Sequence, residues 1–164
     1  MDIKEKIWHE FIDKKYGDEY LCRYITRQTE IRKWFKISTI LFSASGIWTA
    51  VKSFTIPTVI SLTAIALVQL GTLIENFIIH SEKQIEELGK LRLLYYDQWN
   101  KFEELFLTQQ SYDEKQLLDK FFHLRDLGKT MEDLDNKLNI KQKKSLKVQA
   151  EMATRNYLKT HYNV

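Results

Sequence analysis

Between Lys36 and Glu75 this chain carries one ionisable residue, Lys52. The uncharged blocks run over 37–51 (15 residues) and 53–74 (22 residues). A membrane-spanning helix takes about 20 predominantly apolar residues. The second block reaches that length alone. The first does so when Trp34, Phe35 and Lys36 extend it, since lysine snorkels and tryptophan suits the interface. The pattern predicts a transmembrane helical hairpin, with spans of about 35–52 and 56–77. The fold class expected is an all-α membrane protein with an N-terminal helix and a C-terminal cytoplasmic helical domain. Its expected divisions are 1–33, a hairpin over 34–80, and 81–164.

Mean hydropathy over the whole chain is −0.38, but that figure averages two regimes. Outside 37–74 the sequence is densely charged, and the net charge is +3. Arg27, Arg32, Lys33 and Lys36 precede the first block, and Lys83, Lys90 and Arg92 follow the second. Basic residues favour the cytoplasmic side, which places both termini in the cytoplasm and a short turn at Lys52–Pro57 outside. The first 36 residues lack the apolar core of a signal peptide. With Cys22 as the sole cysteine, no intrachain disulfide can form.

Helical spacing extends beyond the spans. Ile3, Ile7, Phe11 and Ile12 share a face, and Tyr20, Tyr24, Ile31 and Trp34 follow. Gly17 is a possible break, yet no proline intervenes before Pro57, so this helix can run straight into the first span. Pro57 suits the first turn of the second, with Ser53 or Thr55 as cap. From Ile74 to about Thr108 a long helix is expected, with Leu88, Leu91, Tyr95, Trp99, Phe102 and Phe106 on its apolar face. Gly89 costs such a helix about 1 kcal/mol against alanine. Ser111 and Glu114 resemble a capping box. Gly128 ends the helix that follows, a short element covers Met131–Leu138, and a basic segment runs over 140–162. No strand is predicted.

Catalytic motifs are missing: the chain has no glycine-rich phosphate loop, HExxH, CxxC or GxSxG. Its histidines, His9, His80, His123 and His161, have no partner at metal-ligand spacing. The pairs Glu86–Glu87 and Glu103–Glu104 point about 100° apart on a helix and read as solvated faces. The expectation is therefore no enzyme, no cofactor and no metal. Direct nucleic-acid binding is not expected, because the aromatics of the basic segment are too few for a stacking platform.

The spans carry many small and hydroxyl residues. Thr39, Ser43, Gly46 and Ala50 fall on one stripe, which suits either close packing of the hairpin or a face lining an oligomeric, water-filled pore. Gln69 lies within the second span, where a polar side chain usually faces protein or water. Glu75 falls at the cytoplasmic interface, where a ring of carboxylates would favour cations. These six are the candidate pore or helix-packing residues.

The layout resembles the SLATT family of two-span effector domains from bacterial conflict systems. The likeness rests on RKWFKIS before the first span, the SASGIW core, the short turn with Pro57, and the charged helix bearing Tyr95–Tyr96. It implies a homo-oligomeric effector in the bacterial inner membrane, acting in anti-phage defence by forming a pore or disrupting the bilayer. It also implies a genomic-neighbour partner: a nucleotide synthase, a sensor or a reverse transcriptase. The alternative is a membrane anchor that docks a partner enzyme through aromatics such as Trp99, Phe102, Phe106, Phe121 and Phe122.

Overall fold

The computed structural model describes residues 2–51 (backbone alone over 42–51), Gln69 and 80–163. Among them the chain is all helical, with no strand. Five α-helices follow in order: α1 Ile3–Val51, α2 Glu82–Thr108, α3 Glu114–Leu127, α4 Lys129–Leu138 and α5 Lys144–Tyr162. A 3₁₀ turn, Gln109–Ser111, lies between α2 and α3. The chain divides into two compact units, Met1–Ile25 with Glu86–Val164, and Thr26–Ile85.

Helix α1 passes through Gly17 without a break and continues into the uncharged block. The proposed span 56–77 lies outside the described residues except for Gln69. No described helix is long and apolar enough to cross a membrane. In α1 only the residues after Lys36 are free of charge.

In the first unit, α1 and α2 run antiparallel, as Trp8–Phe106 and Asp18–Arg92 contacts require. Two apolar clusters form along this pair. One joins Ile3, Ile7 and Phe11 of α1 to Trp99, Phe102 and Leu105 of α2 and to Leu117 and Phe121 of α3. The other joins Tyr20, Leu21 and Tyr24 to Leu88 and Leu91, with Met131 and Leu138 of α4 and Leu146 and Ala150 of α5. Ile7, Phe11, Leu88, Leu91 and Phe102 are wholly buried. Each such side chain contributes about 1.5–3 kcal/mol on leaving water. The basic segment after residue 140 is thus a packed helix, with its lysines on the outer side of Leu146, Ala150 and Thr154.

Two helix starts differ from those expected. The long helix before Thr108 does not continue from Ile74: His80 and Ser81 are non-helical, and α2 begins at Glu82. Ser81 and Gln84 make the reason clear. Ser81 N–H donates to Gln84 Oε1 at 2.9 Å, and Gln84 N–H to Ser81 Oγ at 3.2 Å. This reciprocal capping box starts α2 at Glu82. The cap of α3 is Asp113, whose backbone is extended and whose side chain pairs with Gln116; Ser111 instead closes the 3₁₀ turn. Gly128 ends α3 as expected, and serves α4 as its N-cap too.

Candidate functional site

The six candidate residues are placed unequally. Position 39 lies in α1, where Thr39 Oγ1 donates to Phe35 O at 3.0 Å. Such a bond back to the helix satisfies the hydroxyl locally. Helical register over 39–50 puts positions 39, 43, 46 and 50 on one face; of Ser43, Gly46 and Ala50 the backbone alone is described. Gln69 is helical and exposed. Glu75 lies outside the described residues.

What flanks the uncharged segment is better defined. Glu82, at the start of α2, takes Arg32 Nη2 at 2.9 Å and Lys36 Nζ at 3.0 Å on the same oxygen, Oε1. Arg32 Nη1 also reaches His80 O at 3.5 Å. The hydrogen bond from Lys36 and the charge of Arg32 hold the Glu82 carboxyl below its ordinary range. One carboxylate therefore joins the last basic residues before the first uncharged block to the first turn of α2. At and beyond this clasp α1 exposes apolar side chains: Trp34, between Arg32 and Lys36, is 67% exposed, and Ile40 and Leu41, after them, are 66% and 65% exposed. In the sequence Arg32 and Lys36 register only as positive charge before the first uncharged block. Glu82 was legible as the first residue after the serine of an S-x-x-Q capping box.

The helical unit holds its own polar network. Glu103 Oε1 accepts from Tyr157 Oη at 2.5 Å and Tyr162 Oη at 2.6 Å. Burial, followed by the hydrogen bond to Glu103, raises both phenols. Glu103 is thus half-buried and bonded rather than a solvated helix face. Lys15 is buried with Nζ 3.8 Å from the Trp99 ring centroid and 4.6 Å from that of Tyr157. Its charge is met by these ring faces and by Glu19 Oε1 at 3.2 Å. This is a stabilising arrangement with no nucleophile–base pair in it.

Of the aromatics expected to dock a partner, Trp99, Phe102 and Phe121 are core residues and Phe106 packs against them. Phe122 alone of that set is strongly exposed, at 56%. His9, His123 and His161 sit exposed on helices, and His80 lies in the break before α2. Among the described residues no group of His, Cys, Asp and Glu is arranged to hold a metal. No protein-family model matches the chain, nor does any curated protein or solved structure.

Proposed function

We propose that the chain is a two-span helical-hairpin protein of the bacterial inner membrane, with both termini in the cytoplasm. It acts there as an effector of anti-phage defence. When triggered through its helical unit it assembles with other copies and opens a pore or disrupts the bilayer. The observation that carries the hairpin is the clasp at Glu82. Arg32 and Lys36 before the uncharged segment meet the first turn after it, so the segment leaves and returns at one place. Exposed Trp34 at the clasp, and Ile40 and Leu41 beyond it, suit a lipid interface. The effector role rests on the likeness to the SLATT family and on the small, hydroxyl-bearing stripe at 39, 43, 46 and 50.

Expression in bacteria with a membrane-potential dye tests this reading. Depolarisation with growth arrest is expected, and Ser43→Leu with Gly46→Leu should abolish it while leaving the protein in the membrane fraction. Labelling of Ser53→Cys by an impermeant thiol reagent from the periplasmic side tests the topology separately. Reactivity only from the cytoplasm would overturn the hairpin.

A second reading, an anchor for a partner enzyme, is favoured by one feature. The helical unit exposes Leu93, Tyr96, Phe122, Val148 and Met152, each about half exposed or more. Co-purification of a defined enzyme, lost with Phe122→Ser or Met152→Ser and without any depolarisation, would select it.

A further inference from the structure

The helical unit contains a cleft of about 390 Å³ between α1, α2, α4 and the segment that joins α4 to α5. Its walls include Tyr16, Tyr20 and Tyr95, with Asp13, Asp135 and Asn136. The cleft is a built feature. Asn139 ends α4 in the left-handed conformation, with φ 44°. The following segment is then pinned to α1, where Lys143 N–H donates to Tyr20 Oη at 3.0 Å. Gly17 leaves room for the Tyr95 ring directly against the α1 backbone.

The charge in this cleft is one-sided. No lysine or arginine lines it. Asp13 is exposed and has Lys14 Nζ at 3.4 Å. Asp135 is half-buried, and among the described residues its carboxylate makes no hydrogen bond or ion pair. Glu132 and Glu151 add negative charge that is felt at Tyr95 and Tyr16. The Tyr95 hydroxyl likewise makes no hydrogen bond among the described residues. A carboxylate partly withdrawn from water with no cation beside it favours a ligand that supplies one. Aromatic faces beside it favour a cation with an apolar body over a strongly hydrated metal ion. A phosphate-bearing ligand would find neutral hydroxyl and amide donors but no cation, beside the two carboxylates of Asp13 and Asp135.

We propose that this cleft binds an organic cation of the aliphatic-amine class, its ammonium on Asp135 and its alkyl chain against Tyr16, Tyr20 and Tyr95. The inference goes beyond the membrane reading and does not depend on it. An amine held here would bridge α1 to α4, giving a small molecule a grip on the helical unit.

Spermidine is the probe, titrated calorimetrically into the purified full-length protein in detergent, with magnesium and ATP as comparison ligands. Saturable spermidine binding is expected, undiminished by equimolar magnesium. Asp135→Asn should weaken it at least tenfold. Burial raises the Asp135 carboxyl, so its ionised form opposes folding. That cost is absent below the unfolded value and is fully present once pH exceeds the folded one. Asp135→Asn should therefore raise Tm at neutral pH, so that its loss of binding is not a loss of fold. Asn136→Lys, at an exposed position, should also abolish binding by placing a cation at the cleft. Absence of saturable binding, displacement by equimolar magnesium, or binding that survives both substitutions would overturn the proposal.

Discussion

Gly17 lies directly beneath the ring of Tyr95. A Cβ at residue 17 would stand 2.2 Å from Tyr95 Cε1, well inside contact distance. Helix propensity favours Gly17→Ala by about 1 kcal/mol, but displacing a packed ring costs about 1–3 kcal/mol. Tyr95 is half-buried and packs against the cluster of Tyr20, Leu21, Leu88 and Leu91, so moving its ring off α1 disturbs that packing. Gly17→Ala should lower stability. Gly89 has open space where its Cβ would go, and Gly89→Ala should stabilise by about 1 kcal/mol. Thermal unfolding of the two variants together checks the opposite signs.

Arg92 Nε donates to Asp18 Oδ1 at 2.9 Å, and the Asp18 side chain is only 6% exposed. Replacing Arg92 with Met leaves a buried carboxylate unpaired. Loss of one partner of a fully buried pair costs about 3–5 kcal/mol. Arg92 is partly exposed, so water can approach, and about 2 kcal/mol is expected. Asp18→Asn combined with Arg92→Met should recover part of the loss in urea denaturation.

The two tyrosines on Glu103 share one oxygen, so they should not act independently. Tyr157→Phe and Tyr162→Phe should each cost about 1.5–3 kcal/mol, as hydrogen bonds to a charged group do. In the double variant the effects should depart from additivity by more than about 0.5 kcal/mol. A double-mutant cycle in urea measures the coupling.

For Glu82 the pH dependence has a definite sign. Its folded value is depressed by Lys36 and Arg32. The clasp's contribution is therefore fully present above the ordinary glutamate value of about 4.3 and is lost as pH falls through the lower folded value. Amide exchange at Gln84 and Ile85, corrected for intrinsic rate, should stay protected at pH 5 and lose protection below about pH 4. In Glu82→Gln that acid-dependent change should vanish. Added salt should weaken the clasp in the native protein, because Glu82 is exposed.

Apolar spacing made much of the helical unit legible. Ile3, Ile7 and Phe11, and then Leu88, Leu91, Trp99 and Phe102, are the core that the periodicity indicates. Local chemistry was harder to rank. SYDE offers Ser111 and Asp113 as rival caps, and the preceding 3₁₀ turn consumes the serine. The S-E-K-Q run at 81–84 carries the capping signal that starts α2, but the apolar Phe77, Ile78 and Ile79 just before it, at spacing that suits a helix, mask it. Glu103 read as solvent-facing because its partners lie 54 and 59 residues away. Asp135 was equally hidden, since a cleft is made by elements meeting in space. Of the proposed pore residues, positions 39, 43, 46 and 50 form a stripe on any helix, and α1 is helical across them. Thr39 is the member whose hydroxyl contact is defined.

Both apolar clusters draw one side from the first part of α1 and the other from α2 onward. The helical unit is therefore stitched from two stretches of sequence, Met1–Ile25 and Glu86–Val164, with everything from Thr26 to Ile85 inserted between them. A single peptide cut within the insertion would sever the covalent route without removing any contact in either cluster. The product would be a pair of complementary fragments held by the buried faces of α1 and its partners. Such a nicked protein should run as two bands under denaturing conditions and as one species under native ones.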